Sequence, residues 1–409
     1  MIKSAERVEA YWNELDPNKR LAIPLFGRNI PGPLILGSGT LVEIADQISP
    51  YLENGAGAVV PRTTRFVMER KHHPSPHLYE SGRRGNEIML NAEWTGADVE
   101  FWKPHLEEMA ETGQVIMSIS GRDIPGCTKV AQELDRFGFP YLEINISCAH
   151  SNEVHGFITR NGDHITRVVR EIKNAGVETP IAIKLGHSDY IVELAQIAKD
   201  AGSDAIVAVN TFGPVFDFQI VDGKPVQVLG IAGGKGGMSG SALFPIALTD
   251  VAEISRQVEI PVIACGGVST AEDVLKMIMA GAVGVQVYTS AHVRGVNAPK
   301  KFSELNTQLI RLMGKQGIQN INDMRGAALN ILGQKTNMEP LVPDLDIDKC
   351  TGCDICIPKC LPQAIEIVPA SNKAEHIIAI NDACIGCGHC IAVCPVDALR
   401  LPITSVSGQ

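Results

Sequence analysis

The sequence lacks the features that would place this protein in a membrane or on a nucleic acid. Its 409 residues contain no apolar run that approaches the roughly 20 residues of a membrane span. The N-terminal segment has no apolar core of the kind that a signal peptide needs. The formal net charge of −10 disfavours nucleic acids and anionic membranes as partners. We therefore expect a cytoplasmic protein that binds neither a membrane nor a nucleic acid.

A dinucleotide-binding fingerprint is also missing. No strand–GxGxxG–helix unit is followed by an acidic residue about 20 positions further on. The glycine-rich stretch at 230–237 is typical of a loop instead. The chain is therefore not expected to bind NAD(P)H by itself, so electrons from NAD(P)H would have to reach it through another protein.

Cysteine is scarce through most of the chain and crowded at its end. Of the 11 cysteines, only Cys127, Cys148 and Cys265 precede residue 350. The other eight form two runs with the spacing C-x2-C-x2-C-x3-C. In a chain without a secretion signal, such crowding indicates metal or cluster ligands rather than disulfides. A zinc module is the alternative, but it usually shows two separated cysteine pairs.

Runs of this spacing are typical of two [4Fe–4S] clusters, because three thiolates of one run bind one cluster and the fourth crosses to the other. The first cluster is predicted to bind Cys350, Cys353, Cys356 and Cys394. The second is predicted to bind Cys384, Cys387, Cys390 and Cys360. Two clusters in one small domain conduct electrons and are not themselves a catalyst.

The rest of the chain alternates between short apolar runs and segments with helical periodicity. The runs lie at 34–39, 56–60, 114–120, 141–147, 180–185, 204–210, 261–267 and 284–288. They are nearly continuously apolar, as expected for parallel strands covered on both faces. The clearest helical segments are 163–176, 190–202, 270–281 and 301–317. Eight strands that mostly alternate with helices predict a (β/α)8 barrel, and an open doubly wound sheet is the alternative.

These patterns divide the chain into four segments. We predict an N-terminal extension at 1–30, the barrel at 31–330, a linker at 331–345 and a two-cluster ferredoxin-like domain at 346–409. A barrel builds its active site from the loops at the carboxyl ends of its strands. Long loops of this kind are predicted at 62–95 and 212–240.

Glycines and polar residues follow several predicted strands. Gly37 and Ser38 would let the backbone approach a flat cofactor closely. Gly266 and Gly267 follow the seventh strand, and Tyr288 and Thr289 follow the eighth, where barrels often bind phosphate. A plain turn is the alternative for the glycines. Lys184 ends an apolar strand and needs a partner there, unless it faces outward.

Several motifs resemble those of one enzyme family. NISCAH (145–150) resembles the Asn-x-Ser-Cys-Pro motif of the flavin-dependent dihydroorotate dehydrogenases. LNAEW (90–94) resembles the Leu-Asn-x-Glu of dihydropyrimidine dehydrogenases, and VNTFG, GGMSG and CGGVS match further family loops. Residues from about 30 to 330 resemble this family, most closely the catalytic region of dihydropyrimidine dehydrogenase. That enzyme also carries a two-cluster ferredoxin module after its FMN barrel.

The resemblance implies FMN as cofactor and a role for each matching residue. Cys148 would be the acid–base residue. The residues implied to bind the substrate are Asn91, Glu93, Asn145, Ser147, Asn210 and Thr211. The residues implied to bind FMN are Gly37, Ser38, Arg62, Thr63, Asn145, Lys184, Gly237, Gly266, Gly267, Tyr288 and Thr289. Cys127 and Cys265 match no such motif, and we interpret both as structural.

Two residues depart from the family pattern. Ala149 stands where a proline usually follows the cysteine, and Arg62 stands where the family usually has a lysine. A guanidinium is larger and planar, so this exchange is not conservative. Arg62 would either face the flavin or bind a carboxylate of the substrate through two hydrogen bonds.

The parts together predict the reduction or formation of a C=C bond conjugated to a carbonyl in a pyrimidine-like ring. Reduced FMN would supply the hydride, and the thiol of Cys148, with an ordinary pKa of about 8.5, would supply the proton. Electrons would pass through the clusters from a FAD/NAD(P)H-binding subunit or a small ferredoxin. The alternatives are a dihydroorotate-type or other enone oxidoreductase and a non-catalytic electron-transfer subunit. A homodimer or hetero-oligomer is expected by analogy.

Overall fold

The computed structural model describes residues 5–65, 77–82, 86–91, 97–120, 123–146, 161–227, 235–333, 340–370 and 375–402, with side chains left aside at 77–82 and 86–91. The chain divides into two compact units, Met1–Leu332 and Gly333–Gln409. Each unit is described by itself below.

The first unit is built on parallel strands, which we number as barrel strands 1 to 8. In the described part of the chain they are Leu34–Leu36, Ala58–Val59, Met117–Ile119, Leu142–Asn145, Ile181–Leu185, Ala205–Ala208, Val262–Cys265 and Gly284–Val287. Neighbours pair in the order 2-1-8-7-6-5-4-3. A parallel bridge between Val59 and Val115 joins the two ends of this series. The predicted (β/α)8 barrel is therefore confirmed, and the open sheet is wrong.

Helices cover the outside of the barrel. The described helices of this unit are Ala5–Leu15, Ile48–Glu53, Val99–Trp102, Leu106–Glu111, Ile124–Asp135, Gly162–Asn174, Ile191–Ala201, Phe244–Gln257, Ala271–Met279, Thr289–His292 and Lys300–Lys315. Thr270 begins one of them with a capping box to Asp273, as its position in the sequence predicts. The helix Gly162–Asn174 begins earlier than its periodicity predicts, because Asn161 caps it by accepting from the His164 backbone N–H.

The N-terminal segment packs into the barrel core. The strands Ile23–Leu25 and Arg28–Ile30 form an antiparallel hairpin. Leu21 and Ile23 are buried, and the ring of Phe26 lies 4.9 Å from that of Tyr141, which precedes barrel strand 4. The segment that the sequence predicts as an extension thus supplies side chains to the core of the first unit.

The two predicted long loops contain further strands. His77–Gly82, Asn86–Asn91, Lys235–Gly240 and Phe212–Phe216 form an antiparallel sheet among the described residues. Phe218–Val221 and Lys224–Gln227 form a separate exposed hairpin. Two short strands, Thr64–Arg65 and Ala97–Asp98, extend the edge of the barrel sheet at barrel strand 3. The sheet brings segments about 150 residues apart in sequence into register, which periodicity alone does not predict.

The second unit is small and contains an internal repeat. Its described strands are Asp344–Leu345, which pairs with Leu399–Arg400, and Ile365–Pro369, which pairs with His376–Ile380. A short helix spans His389–Val393. The predicted linker at 331–345 therefore ends in a strand of this unit.

No helix in the described ranges of either unit has the length and apolar character that a membrane crossing requires.

Candidate active site

A cavity lies at the carboxyl ends of the barrel strands. It encloses about 1090 Å³ of space that protein atoms do not fill, with the open mouth included. Its lining comes from the ends of barrel strands 1, 4, 5, 6, 7 and 8 and from residues 62–63, which follow barrel strand 2. A parallel barrel binds its ligands at this end, because the variable loops meet there.

Most of the predicted site residues that the structure describes line this cavity. From the predicted FMN set they are Gly37, Ser38, Arg62, Thr63, Asn145, Lys184, Gly266, Gly267, Tyr288 and Thr289. From the predicted substrate set they are Asn145, Asn210 and Thr211. Gly237 does not line the cavity, whereas Ser239 and Gly240, which lie further along the described strand Lys235–Gly240, do; a role of Gly237 in binding FMN stays a prediction.

Four other predicted site residues lie where the structure describes either no atoms or the backbone alone. Cys148, Ser147 and Glu93 lie outside the described residues, so their roles stay predictions. Asn91 is described by its backbone, which ends a strand and pairs with Gly237. This register places residue 91 on a strand next to the one that lines the cavity.

Hydrogen bonds join polar side chains along the cavity wall, and Thr63 is at their centre. Its Oγ1 lies 3.2 Å from Ser38 Oγ and 3.0 Å from Ser118 Oγ. Asn145 Nδ2 donates to Thr63 Oγ1 at 3.3 Å, and Asn210 Nδ2 donates to Asn145 Oδ1 at 3.2 Å. These bonds fix which way the Asn145 amide faces. Sequence reasoning missed Ser118. A serine between two apolar residues of a strand, Met117 and Ile119, was the signal that could have identified it.

Three buried polar side chains meet inside the barrel below the cavity. Lys184 Nζ donates to Glu143 Oε1 at 3.1 Å and to Gln286 Oε1 at 3.0 Å, and Gln286 Nε2 donates to Glu143 Oε2 at 2.6 Å. Lys184 and Gln286 line the cavity, whereas Glu143 is fully buried behind them. The outward-facing alternative for Lys184 is therefore wrong. Glu143 and Gln286 were missed, although Glu143 precedes Asn145 by two residues and so shares its face of the strand.

The charge of Glu143 decides the ionisation of Lys184. Burial alone lowers the pKa of Lys184, because a charged ammonium loses its hydration. Burial is the largest single influence, but the charge of Glu143, then Cys265 and the hydrogen bond to Glu143 together outweigh it, so the pKa of Lys184 lies above its ordinary value. The cavity therefore has a charged ammonium in its floor at neutral pH.

Arg62 is already paired. Its guanidinium forms a short hydrogen-bonded ion pair with Glu43. The side chain of Arg62 is 12% exposed and that of Glu43 is 50% exposed, so the pair lies at the edge of the cavity. Sequence reasoning identified Arg62 and missed Glu43, which lies 19 residues earlier in a loop.

Tyr288 lies beside Arg62 and closes one side of the cavity. Its hydroxyl accepts from the Thr40 backbone N–H at 2.8 Å and lies 2.9 Å from Thr40 Oγ1. Burial raises the pKa of Tyr288, and its hydrogen bonds to Thr40 and the charge of Arg62 oppose this only in part. Tyr288 thus stays a neutral phenol. A side chain at Gly39 would collide with the Tyr288 ring, which explains why glycine stands there.

Gly267 gives the loop after barrel strand 7 a conformation that other residues avoid. Its φ is +72°, and a Cβ at this position would come within 2.4 Å of the Phe244 backbone N. Only glycine satisfies both conditions without strain. The loop therefore passes close to the start of the helix Phe244–Gln257 while still lining the cavity.

The two cysteines interpreted as structural differ in position. Cys127 is buried in the helix Ile124–Asp135, and burial followed by the charge of Asp123 raises its pKa to about 12. Cys265, which the sequence interpretation treats as structural, lines the cavity. Burial raises the pKa of Cys265, with Lys184 opposing and Glu143 adding to the effect, so its thiol stays protonated.

In the second unit, the predicted ligands of one cluster come together. Cys350, Cys353, Cys356 and Cys394 line a single small cavity, although Cys394 belongs to the other run. Backbone N–H groups point to two of the thiols in equivalent positions, since Ala364 donates to Cys360 Sγ and Ala398 to Cys394 Sγ, both at 3.2 Å.

Cys350, Cys353, Cys356 and Cys394 line a cavity and do not converge on the position of a single ion. Within the described residues, no three or more His, Cys, Asp or Glu side chains are arranged to hold a single metal ion. A cubane needs thiolates that are further apart, because each binds a different iron. Four thiols that line one cavity are the donor set that a [4Fe–4S] cluster needs.

The barrel cavity fits FMN by similar reasoning. Gly37 and Gly39 line the cavity with backbone alone, and Lys184 would offer a charged donor to the acceptor edge of a flavin. The glycine turn at 266–267 and the short helix from Thr289 lie where barrels bind phosphate.

Comparisons with known proteins agree with this geometry. A family model described as dihydroorotate dehydrogenase matches residues 20–313, and a model described as a 4Fe-4S dicluster domain matches residues 349–398. Residues 1–19 precede the first match, and the two matches together cover most of the rest of the chain.

Curated relatives carry one recurring name, dihydroorotate dehydrogenase B (NAD(+)), catalytic subunit. The chain is 30% identical to the protein of this name from Thermococcus kodakarensis, over 76% of this chain and 98% of that protein. It is 31% identical to the one from Desulforamulus reducens, over 75% and 98%. A crystal structure of DHODH from Eimeria tenella in complex with ferulenol superposes with a TM-score of 0.61 at 18% identity, over 79% of this chain and 94% of that chain. This last likeness concerns the fold alone.

Proposed function

The chain belongs to the dihydroorotate dehydrogenase family, and from that premise we propose that it oxidises or reduces a CH–CH bond in a pyrimidine-type ring. Members of this family are oxidoreductases that bind FMN, and the dicluster domain indicates two [4Fe–4S] clusters. A dihydroorotate-type substrate is the first candidate, because the relatives are named for it. Those names favour this alternative over the closer resemblance to dihydropyrimidine dehydrogenase.

One observation carries the proposal. The carboxyl ends of the barrel strands bring a charged ammonium, a phenol and a hydrogen-bonded row of amides and hydroxyls to one cavity. A flat ring with several acceptors and donors can use all of them, whereas a purely electron-carrying subunit would need none. The non-catalytic alternative is therefore disfavoured.

The side chains that line the cavity have different proposed roles. FMN, when bound, supplies the hydride acceptor or donor of the reaction. Asn145 and Asn210 hold their amides in fixed directions and so orient a ring with amide edges. Lys184 stays charged and can hold an anionic ligand edge. Cys148 remains the proposed proton donor on the basis of its motif, and a positioned acid of this kind contributes about 10²–10⁴-fold in rate.

The cluster unit sets this chain apart from its named relatives. The alignment covers 98% of the Thermococcus protein but only 76% of this chain, and the dicluster match lies beyond the barrel match. We propose that the clusters connect the barrel to a redox partner, either a FAD/NAD(P)H-binding subunit or a ferredoxin. The words "catalytic subunit" in the relatives' names support such a partner.

A neutral pyrimidine such as uracil or thymine is the second candidate substrate. The ion pair between Arg62 and Glu43 favours it. A substrate carboxylate that bound Arg62 would have to share the guanidinium with Glu43 or displace it, and breaking a partly buried pair costs free energy. A neutral ring leaves the pair intact.

Ligand titration tests the proposal. Orotate, dihydroorotate, uracil and thymine are each added to the oxidised and the reduced protein, and the flavin spectrum is followed. Tight binding of orotate supports the first candidate, and it should tighten further in Glu43→Gln because the guanidinium is released. Binding of uracil or thymine, unchanged in Glu43→Gln, supports the second. If none of the four perturbs the flavin and Cys148→Ser keeps full activity, the pyrimidine proposal fails.

A further inference from the structure

The buried group below the cavity is an unusual choice for a barrel interior. Such layers usually consist of branched apolar side chains. Here Glu143, Lys184 and Gln286 come from barrel strands 4, 5 and 8 and meet across the interior with exposures of 0%, 4% and 1%. Apolar residues of similar volume would often stabilise the fold at least as well as a buried ion pair. Stability alone therefore does not explain the group.

Three hydrogen bonds join the three side chains in a closed ring. Each Glu143 oxygen accepts one bond, from Lys184 or from Gln286, and Gln286 Oε1 accepts a second bond from Lys184. Among the described residues, Lys184 thus uses two of its three N–H donors below the cavity. Because Lys184 also lines the cavity, its third donor is available to a ligand there.

We propose that Glu143 is a positioning residue that acts through Lys184: it keeps the ammonium charged and aims it into the cavity, while Gln286 locks both in place. The inference rests on the proposed function only in taking FMN as the cavity's cofactor. Glu143 does not line the cavity, so it cannot contact a flavin there, whereas Lys184, which it bonds, does line the cavity.

The other groups around Lys184 cannot replace Glu143. From barrel strand 7, Cys265 contributes less than Glu143 does, and burial raises its own pKa. From barrel strand 8, Gln286 is a neutral amide, and Tyr141, which precedes barrel strand 4, has a pKa raised well above its ordinary value by burial and then by Glu143. Glu143 is thus the carboxylate that faces Lys184 among the described residues of these strands.

The test measures the flavin midpoint potential of Glu143→Gln against pH in the full-length, FMN-loaded protein. Without the carboxylate, burial lowers the pKa of Lys184 and the ammonium loses its proton at neutral and higher pH. Reduced flavin, the more negative form, then loses its counter-charge. We expect the ratio of FMN affinities, reduced over oxidised, to fall at least about tenfold, which is about 30 mV for a two-electron couple. The deficit should shrink as the pH is lowered and Lys184 regains its proton.

The sign of the change separates this role from a direct effect. If the negative charge of Glu143 acted on the flavin by itself, its removal would raise the potential at every pH. The matched control is Glu143→Gln combined with Lys184→Met, which leaves no uncompensated buried charge. The flavin midpoint potential of this double variant should equal that of Glu143→Gln at high pH. It should not return toward the wild-type value at low pH.

The outcomes are distinct. A raised or unchanged potential in Glu143→Gln overturns the inference. If the single variant does not fold, the double variant decides, because a potential equal to that of the wild type contradicts a role for the pair. Protein that binds no FMN when freshly isolated contradicts the proposed function itself, whereas FMN-loaded protein with an unaltered potential contradicts only this inference.

Discussion

The barrel cavity and the cysteine-rich unit reach their functional geometry in opposite ways. The cavity collects residues from Gly37 to Ser290, which lie on almost every barrel strand. The cluster ligands lie between Cys350 and Cys394, in two runs with the same spacing. The barrel cavity therefore depends on the whole fold, whereas the cluster ligands can be predicted almost entirely from local sequence.

The local character of the second unit extends to its backbone. Gly352 and Asp354 have positive φ, and so do Gly386 and Gly388, each 34 residues later. The repeat places both runs in the same loop conformation, so each positions its thiols in the same way. The predicted crossing of Cys394 to the first run agrees with the structure, where Cys394 and Cys350 line the same cavity.

The largest expected effect tests whether the two regions are separable. Cys394→Ala should remove the first cluster, because that thiol completes its ligand set across the two runs, and iron content should fall by about half. Reduction of the flavin by an external donor should then nearly stop, while substrate still reduces the flavin in anaerobic stopped-flow measurements. Cys127→Ala, in the barrel unit, is the control and should leave iron content unchanged.

Loss of the substrate half-reaction in Cys394→Ala would contradict this separation. It would mean that the barrel cavity depends on the cluster unit for its own folding. Full iron content would instead show that Cys394 is not a ligand.

A substitution at Gly267, which lines the barrel cavity, tests how far that cavity depends on the packing of the whole barrel. Gly267→Ala should destabilise the barrel by about 2–5 kcal/mol, because a left-handed φ is strained in alanine and its Cβ would clash with the Phe244 backbone. FMN affinity should fall as well. Gly317→Ala is the matched control: its φ is +70° but nothing lies within 4 Å of the added Cβ, so about 1–2 kcal/mol is expected. Urea unfolding measures both, and equal losses would contradict the role of the Phe244 contact.

The smallest expected effect lies at a surface ion pair away from both regions. Arg294 lies 2.7 Å from Glu304, and this hydrogen bond is the main cause of the lowered pKa of Glu304. Glu304→Gln should cost at most about 0.5 kcal/mol, since the carboxylate is half exposed and screened by solvent. A lowered pKa means that the stabilisation is complete above the ordinary glutamate pKa and is lost as the pH falls through the folded value. Urea unfolding should therefore show a difference near neutral pH and none in acid, and a difference that persists in acid would contradict the ion-pair explanation.

Sequence reasoning identified many residues that line the barrel cavity but missed the side chains that hold them in place. Lys184, Asn145 and Asn210 could be named because each ends a recognisable strand or belongs to a motif. Glu143 and Gln286 lie inside apolar strands, where a single polar residue gives no sign of its partner across the barrel. The pairing of Arg62 with Glu43 depends on how two loops approach each other, which no spacing rule predicts.

The sequence by itself determined the alternation of strands and helices, the eight cluster ligands and most of the polar residues at the strand ends, because these follow from local periodicity and fixed spacing. Only the tertiary structure decided that the barrel closes through Val59 and Val115, that Lys184 turns inward, and that a buried carboxylate stands behind it. Barrel closure brings distant strands within hydrogen-bonding distance, and buried charges are then forced to find partners that are remote in the chain.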